Sequence, residues 1–342
     1  MDGDPSSIER KLAHIDLTVE AQISSVLKDK RFNYEPLFES HPTPGEGPKK
    51  KQFLGKTLNA PLWISSMTGG TGPARHINQN LARGAGEFGL GMGLGSCRSL
   101  LSSDEFFSDF DLRKHLGNQP FYANLGIAQV EQSLLNNSWD KIEHLVSSLK
   151  ADGLIIHLNP MQEWFQPEGD LLKRSPLETI DQALEKNSFP LIIKEVGQGM
   201  GPKSLETLMT RKLEAIEFGA FGGTNFSRLE QLRQTEDKKG FREMALVGHT
   251  AEEMVGFVNS AFKNKKNEIN CKQFIISGGI QNALQGYDLM NRCMGNSVYG
   301  QAKAMLMAAK GDYSEFREFL SSQLEGLAMA EKYLTPSEGI IQ

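Results

Sequence analysis

Eight short apolar runs alternate with helix-like stretches along this chain, and this alternation constrains the fold more than any other sequence feature. Parallel strands must be joined by a crossover connection, usually a helix, so the alternation predicts a parallel sheet. The apolar runs span residues 61–66, 90–94, 121–125, 153–158, 191–196, 215–218, 273–277 and 297–300. The helix-like stretches span residues 73–88, 138–150, 176–186, 203–211, 251–263 and 280–294.

A closed (β/α)8 barrel and an open doubly wound sheet can both hold such strands. Nearly every run ends in Gly, Ser, Asn, Lys or His, which spreads polar groups around one rim, as a barrel requires, rather than gathering them at one switch point. No GxGxxG follows the first run, which argues against a dinucleotide-binding half. We therefore predict an α/β fold, a (β/α)8 TIM barrel over residues 61–342.

Residues 1–60 are predicted to form an N-terminal extension that packs against the barrel. A helical pattern covers residues 8–27, residues 40–51 form a loop rich in Pro, Gly and Lys, and no strong strand pattern occurs before residue 60. Residues 225–248 form a long, charged connection after the sixth run, and we expect this connection to cover or border the functional site.

Composition narrows the class of protein. The net charge is −5 and no basic stripe is present, which argues against a nucleic-acid partner. The cysteines Cys97, Cys271 and Cys293 form no CxxC pair, so neither a disulfide framework nor a structural zinc site is expected. The first residues lack the apolar stretch of a signal peptide, and no run approaches the roughly 18 apolar residues of a membrane span. These features predict a cytoplasmic protein with no membrane partner.

The most informative polar segment, HLNPMQE, ends the fourth run. His157 and Asn159 share one face of the predicted strand, because strand side chains alternate, and Gln162 and Glu163 begin the following loop. A lone carboxylate beside amides suits Mg²⁺, which usually takes one or two protein carboxylates together with substrate phosphate oxygens. Each residue alone is more often an ordinary polar loop residue, and their clustering favours a site.

Two cations follow other runs. Lys194 lies inside an apolar strand, where an unpaired ammonium is costly to bury, so we expect it to face the barrel mouth and meet an anion. Arg98 follows the second run, close to Ser96, and a guanidinium suits bidentate recognition of phosphate. Taken alone, Arg98 is more readily interpreted as a surface ion pair.

Glycine-rich turns complete the rim. The loops after strands seven and eight of such barrels often bind a phosphate through backbone N–H groups, and Gly278 and Gly279 follow the seventh run. A tight strand-to-helix turn explains these glycines nearly as well. Near the N-terminus, Arg10, Lys11 and His14 lie far from any run, and the sequence alone places them on a solvated helix face.

The order of the motifs RKxxH, MTGG, GSxR, NLG, HLNPxQE, KEVGxG, GGT and SGGI resembles the type 2 isopentenyl diphosphate isomerases, which use FMN. The resemblance runs from Arg10 to about Leu306, and HLNPxQE followed by KEVGxG is its most specific part. The chain departs from the family pattern at a few positions. Cys97 replaces a common Gln, Asn225 a common Ser and Gln281 a common Arg, while Lys303 lies in an unusual loop after the eighth run, which leaves the details of phosphate binding open.

The resemblance implies a role for each rim residue. It implies that the residues that bind the substrate are Arg10, Lys11, His14, Ser96, Arg98 and Gln162. It implies that the catalytic residues are Gln162, by the reacting carbons, and His157 and Asn159, which line the same pocket, and that Glu163 holds Mg²⁺. It implies that the FMN contacts are Ser66, Met67, Thr68, Ser96, Asn124, Lys194 and Thr224, with Gly278, Gly279, Ile280, Ala302 and Lys303 around the FMN phosphate.

The implied reaction interconverts isopentenyl diphosphate and dimethylallyl diphosphate by a redox-neutral proton shift on reduced FMN, with NAD(P)H serving only to reduce the flavin. The resemblance also implies a homo-oligomer, a tetramer or octamer. Two alternatives stay open. One is a barrel oxidoreductase with Cys97 as nucleophile, as in inosine monophosphate dehydrogenase, although that family's cysteine lies on a later loop. The other is a non-catalytic flavin-binding barrel, against which the presence of His157, Gln162 and Glu163 argues.

Overall fold

A computed structural model describes residues 6–43, 45–66, 69–70, 72–233 and 239–337. The strands are β1 (Phe32–Tyr34), β2 (Lys51–Phe53), β3 (Lys56–Leu58), β4 (Leu62–Ile64), β5 (Gly91–Gly93), β6 (Phe121–Gly126), β7 (Gly153–Leu158), β8 (Leu191–Glu195), β9 (Ala215–Glu217), β10 (Gln273–Ser277), β11 (Asn296–Gln301) and β12 (Leu334–Pro336). The α-helices are α1 (Ser6–Leu17), α2 (Pro73–Phe88), α3 (Phe107–Phe110), α4 (Arg113–Leu116), α5 (Ile127–Leu135), α6 (Trp139–Ser148), α7 (Pro160–Phe165), α8 (Pro176–Lys186), α9 (Pro202–Met209), α10 (Phe226–Arg233), α11 (Ala251–Asn264), α12 (Ala283–Arg292), α13 (Lys303–Ala309) and α14 (Tyr313–Tyr333). Short 3-10 helices span Ser25–Leu27, Arg98–Leu101 and Lys239–Leu246.

Strands β4 to β11 form a closed parallel barrel. Each strand pairs with the next along the chain, and β11 closes the ring by pairing with β4, with Tyr299 opposite Leu62. All eight predicted apolar runs are barrel strands, so the prediction of a (β/α)8 fold is confirmed and the doubly wound alternative is wrong. Closure brings the carboxyl ends of all eight strands to one rim.

A hairpin closes the other end of the barrel. Strands β2 and β3 pair antiparallel, and their Phe53 and Leu58 are buried against Trp63 and Tyr122 inside the barrel. Asn296, at the start of β11, donates to the backbone carbonyl oxygen of Gln52 over 3.0 Å, which places the hairpin at the amino ends of the strands. The carboxyl end is therefore the end left open to a ligand.

Local sequence fixes where several helices begin. Ser175 and Glu178 form a reciprocal capping box at α8, and Thr250 and Glu253 form another at α11. Each box satisfies two backbone N–H groups that the first helical turn leaves without partners. Both helices begin at the predicted residue for this reason.

The N-terminal region differs from the prediction. The predicted helix over residues 8–27 ends at Leu17, and Thr18 turns its hydroxyl back to donate to the carbonyl oxygen of His14. Three strands also form before residue 60, where no strand pattern was evident. The first of them, β1, pairs antiparallel with β12 near the opposite end of the chain, and its Phe32 stacks on Tyr287. Such strands form because tertiary partners are available, and local periodicity does not show these partners.

None of the helices that the structure describes is long and apolar enough to cross a membrane.

Candidate active site at the carboxyl end of the barrel

A cavity of about 550 Å³ opens at the carboxyl ends of the barrel strands. Its wall comes from β8, β9, β10 and β11, from the segments that follow these strands, and from Ser65 and Ser66 just after β4. The predicted cofactor contacts that line it are Ser66, Lys194, Thr224, Gly278, Gly279, Ile280, Ala302 and Lys303. Met67 and Thr68, also predicted to contact the cofactor, lie outside the described residues.

Glycines form one side of the cavity. Gly278 has φ +91°, and a Cβ at this position would lie 2.2 Å from backbone atoms of Ala220. A Cβ on Gly223 would lie 3.0 Å from the amide nitrogen of Gly279. The loops after β9 and β10 therefore approach each other backbone to backbone, and only glycine permits that approach at residue 278. This arrangement leaves main-chain groups at the cavity wall, as a phosphate-binding loop requires.

Three titratable side chains form a row across the barrel interior. Ile155, Ile192 and Ala215 belong to the buried layer inside the barrel, and two residues further along the same strands lie His157, Lys194 and Glu217. Because strand side chains alternate, the second set faces the same way, one layer nearer the rim. Strand register pairs His157 with Lys194 and Lys194 with Glu217.

The sequence analysis missed Glu217, although it is fully buried and lines the cavity. The signal for it was present. Glu217 is a charged residue within the apolar run at 215–218, and the same reasoning placed Lys194 at the barrel mouth.

The electrostatics of the row favour a neutral imidazole. Burial and the neighbouring Lys194 ammonium lower the pKa of His157 to about 3. His157 Nδ1 lies 2.8 Å from Asn124 Oδ1, and the Asn124 amide is oriented by its own Nδ2, which donates to the carbonyl oxygen of Leu94 over 2.8 Å. An amide oxygen only accepts, so Nδ1 carries the proton and Nε2 is free to accept. Burial raises the pKa of Glu217, and Lys194 and hydrogen bonds from serine hydroxyls oppose that rise.

The low pKa of His157 predicts a measurable loss of stability in mild acid. An unfolded histidine titrates near 6.5, so between that pH and about 3 the unfolded chain binds more protons at this position than the folded one. Folding stability must therefore fall as the pH is lowered, by up to about 2 kcal/mol between pH 7 and pH 5. Urea unfolding of wild type and His157→Gln at the two pH values measures this difference. We expect a flatter pH dependence in His157→Gln than in wild type or in a variant of the exposed His144; identical slopes would contradict the prediction.

The HLNPMQE segment ends β7 at Leu158, as predicted, and then continues as a helix rather than as the predicted loop. Proline at the first position of α7 starts the helix, and Gln162 and Glu163 lie on it. Asn159 Nδ2 donates to Glu163 Oε1 over 2.8 Å, and Glu163 Oε2 accepts from the amide of Asp170 over 2.9 Å. Asn159 Oδ1 is buried and has no hydrogen-bond partner in the described part of the chain. Buried acidic and amide oxygens thus lie together, and such oxygens are suitable ligands for a hard cation.

Two neighbours extend this cluster. Arg98 Nη2 lies 3.0 Å from Asp170 Oδ2, which brings the predicted phosphate-binding arginine to the loop that holds Glu163. Gln162 Nε2 lies 3.4 Å from Oε1 of the buried Glu230 on α10. The connection at residues 225–248 therefore borders the HLNPMQE segment, as expected, and Glu230 is a second site residue that the sequence analysis missed.

Not every predicted residue joins these groups. Arg10, Lys11 and His14 lie on α1, where they are exposed, as are all residues from 9 to 17 except the partly buried Ala13. Ser96 lies just after β5, where its hydroxyl oxygen is 3.4 Å from the amide of Arg98. Across residues 6–43, 45–66, 69–70, 72–233 and 239–337, no group of three or more His, Cys, Asp or Glu side chains is arranged to hold a metal. A cation here would therefore need ligands from a bound substrate as well as from Glu163.

Comparison with characterised proteins identifies the family. A protein of Rickettsia akari named isopentenyl-diphosphate delta-isomerase is 33% identical over 313 residues, covering 90% of this chain and 87% of its own length. The chain belongs to the isopentenyl-diphosphate delta-isomerase family. The Rickettsia prowazekii member of the family is 31% identical over 306 residues, covering 88% of this chain and 86% of its own length. No family model matches the chain.

Solved structures with a similar fold are flavoenzyme barrels. A mandelate oxidase variant with a monooxide FMN adduct aligns with a TM-score of 0.55 at 13% identity, over 90% of this chain and 88% of its own. A double mutant of flavocytochrome b2 with pyruvate bound aligns with a TM-score of 0.58 at 12% identity, over 86% of this chain and 71% of its own. At such identities the similarity establishes the fold alone, so the site of this isopentenyl-diphosphate delta-isomerase family member must be argued from its own residues.

Proposed function

We propose that this chain interconverts isopentenyl diphosphate and dimethylallyl diphosphate by a redox-neutral 1,3-proton shift, as an FMN- and Mg²⁺-dependent (type 2) isomerase. The observation that carries the proposal is the carboxyl-end cavity, where Lys194 lies beside buried polar atoms that have no hydrogen-bond partner in the part of the chain that the structure describes. Family membership supports the substrate, because the curated relatives carry that enzyme's name.

The cavity suits FMN in size and chemistry. Small-molecule sites usually measure about 300–1,000 Å³, and this cavity measures about 550 Å³. Ser66 Oγ and Gln301 Oε1 are buried in its wall without hydrogen-bond partners among the described residues. An unsatisfied buried polar atom costs about 1–3 kcal/mol, which a polar ligand would recover. The Gly278 and Gly279 loop and Lys303, which line the same cavity, would hold one phosphate, and the sequence has no fingerprint for a second nucleotide that would favour FAD.

The chain's own groups would hold and orient the substrate. Gln162, fixed between Asn159 and Glu230, would lie by the reacting carbons, and the neutral His157 would line the same pocket without adding a second positive charge. Lys194 would stabilise negative charge on the ring beside it. Reduced FMN supplies an electron-rich ring and an exchangeable N5 proton, which neutral side chains cannot provide to so weak a base as an alkene.

Glu163 and Asn159 suit Mg²⁺ for a related reason. Magnesium takes one or two carboxylates and completes its octahedron with water and substrate phosphate oxygens. Glu163 offers a buried carboxylate, and the unpartnered Asn159 Oδ1 offers a second oxygen. A bound Mg²⁺ would neutralise charge on the diphosphate while Arg98 contacts its outer oxygens.

Several further parts of the proposal concern the whole protein. NAD(P)H would reduce the flavin before turnover and would not be consumed by it. The protein would work in the cytoplasm as a tetramer or octamer, with residues 1–60 as an extension of the barrel at 61–342.

Turnover tests the proposal. Protein loaded with FMN, reduced by NADPH or dithionite and supplied with Mg²⁺ should convert isopentenyl diphosphate to an equilibrium mixture with dimethylallyl diphosphate. Omitting FMN, reductant or Mg²⁺ in turn should abolish conversion each time. Full conversion without flavin would overturn the cofactor assignment, and no conversion by the complete system would overturn the activity.

The second candidate, a thiol-dependent oxidoreductase, predicts that Cys97 is essential. Cys97 is fully buried, and burial raises the pKa of its thiol to about 12, so it is not a thiolate at neutral pH. Cys97→Ala should therefore keep isomerase turnover within about tenfold of wild type, ~1.4 kcal/mol in the barrier. Steady-state assays at matched flavin loading measure this. Complete loss of turnover with an unchanged flavin spectrum would favour the thiol enzyme.

A prediction for Arg10 distinguishes two possible roles of α1, a solvated helix face and a segment that binds the substrate diphosphate. Arg10 is exposed, so Arg10→Ala should barely change thermal stability. If α1 closes over the barrel mouth and Arg10 meets the diphosphate, its loss should raise the KM for isopentenyl diphosphate at least about tenfold, because charge-assisted phosphate contacts are strong. FMN affinity should hardly move, because the flavin would lie deeper. An unchanged KM would leave Arg10 as part of a solvated helix face.

A further inference from the structure

We propose that Glu217 is a binding residue of the cavity: its unpartnered carboxylate oxygen accepts a hydrogen bond from the bound flavin, and its charge, next to Lys194, sets the flavin's redox potential. This inference rests on the proposed function, since it names FMN as the ligand. It adds a residue that neither the motif resemblance nor the sequence pattern assigned.

The two oxygens of Glu217 have different surroundings. Oε1 accepts from the Ser277 hydroxyl over 3.1 Å, and Ser277 Oγ in turn accepts from the amide of Gly219 over 3.1 Å. The Ser277 hydroxyl proton is therefore directed to Oε1. Oε2 is buried and meets no donor with hydrogen-bond geometry in the described ranges of the chain, although the Ser65 hydroxyl on the same cavity wall is close enough to lower the pKa of Glu217. A buried carboxylate oxygen without a donor is costly, so a donor from a ligand is the natural partner.

The place of Glu217 makes that ligand the occupant of the cavity. Glu217 lines the cavity wall together with Ser66 and Lys194, and its own side chain is fully buried. The flavin of FMN carries hydrogen-bond donors on its ring and on its ribityl hydroxyls, whereas its phosphate carries only acceptors at neutral pH. The carboxylate therefore belongs beside the ring and sugar chain, and the phosphate belongs at the Gly278 and Gly279 loop.

Charge gives Glu217 its second role. Lys194 lies at the adjacent register position on β8, and Glu217 is the acidic group that follows it in the row. Burial raises the pKa of Glu217 and the Lys194 ammonium lowers it, so the two groups are electrostatically coupled. When Glu217 is ionised its negative charge partly offsets the ammonium, and the cavity then holds reduced, anionic flavin less tightly than Lys194 alone would. Removing the carboxylate charge should favour the reduced flavin relative to the oxidised form.

The test uses apo protein titrated with FMN and holoprotein titrated with redox dyes, neither of which depends on turnover. Glu217→Gln places an NH₂ group where Oε2 or Oε1 accepted, so oxidised FMN should bind at least about tenfold more weakly. Reduced FMN should lose less affinity than oxidised FMN, and a tenfold difference between them raises the two-electron potential by about 30 mV. Glu217→Asp keeps the charge but withdraws the oxygen, so it should weaken FMN binding while leaving the potential near that of wild type.

Asp109→Asn is the matched control. Asp109 is also buried with one oxygen, Oδ2, that has no partner in the described chain, but it pairs with Arg75 outside the cavity. The Asp109→Asn substitution should change neither the affinity for FMN nor the redox potential of the bound flavin. Unchanged FMN affinity and potential in Glu217→Gln, or equal shifts in Asp109→Asn, would overturn the inference while the proposed function stands. If Glu217→Gln does not fold, wild-type affinity in Glu217→Asp overturns it instead. Wild-type protein that binds no FMN would remove the proposed function as well.

Discussion

Glu163→Gln is expected to lose at least about a hundredfold of the Mg²⁺-dependent isomerase turnover, because it removes the carboxylate that would hold the metal on the diphosphate. FMN affinity should stay near wild type, since Glu163 lies on α7 and is not part of the cavity wall. The substitution has a structural cost too. Glu163 accepts from Asn159 and from the amide of Asp170, and an amide side chain turns an NH₂ group toward one of these donors.

Glu131→Gln provides the control for that structural cost. Glu131 is also buried and also accepts from backbone amides, those of Lys173 and Arg174, but it contributes nothing to the cavity wall. The two variants should lose comparable stability, roughly 1–3 kcal/mol. Thermal melts and a titration of turnover against Mg²⁺ separate the effects. Wild-type turnover and Mg²⁺ dependence in Glu163→Gln would show that Glu163 is not the metal ligand.

Lys194→Met should show the other large effect, a fall in turnover on the order of 10²–10³ with reduced flavin present, the usual result of removing one preorganised charge from a water-excluded site. Lys194 is 7% exposed and donates to the backbone carbonyl oxygen of Glu195 over 2.7 Å, so its ammonium is held in place before any ligand binds. Methionine keeps the volume of the aliphatic chain. The loss should appear both in turnover and as a lower flavin potential.

Lys56→Met is the control for Lys194→Met. Lys56 pairs with Asp152 over 2.6 Å at the amino end of the barrel, where the β2–β3 hairpin lies. Its loss should affect stability slightly and leave turnover and flavin potential alone. Equal effects of the two lysine variants on potential, or an unchanged potential in Lys194→Met, would show that Lys194 does not face the flavin ring.

The sequence predicts the barrel well because its strands are apolar and its helices are capped locally. The run at 191–196 contains charged residues only near its carboxyl end, Lys194 and Glu195, and Ser175 and Glu178 mark the start of a helix within a few residues of chain. These are short-range signals, and they do not depend on the rest of the fold. The β1–β12 pair is the opposite case, because its two strands are some 300 residues apart and neither is long enough to be recognised alone.

The site follows the same division. Asn159, Gln162 and Glu163 are close in sequence, so their clustering was visible before the structure. Glu230 meets Gln162 only because α10 folds back against α7, and no local pattern marks that contact. Glu217 could have been predicted from the sequence, since a charged residue in a buried apolar run requires a partner. The role of Arg10 stays a prediction, because the motif resemblance implies a contact with the diphosphate whereas the exposed helix indicates a solvated side chain.

Proton incorporation from solvent tests the central claim most directly. Isopentenyl diphosphate would be incubated anaerobically in D₂O with the FMN-loaded, reduced protein and Mg²⁺ and followed by ¹H NMR. An isomerase that adds a proton at the terminal carbon and removes another two carbons away must yield dimethylallyl diphosphate that carries deuterium in a methyl group, and conversion must stop when the flavin is oxidised. Unchanged isopentenyl diphosphate, in a sample whose spectrum shows fully reduced flavin, would contradict the proposed function.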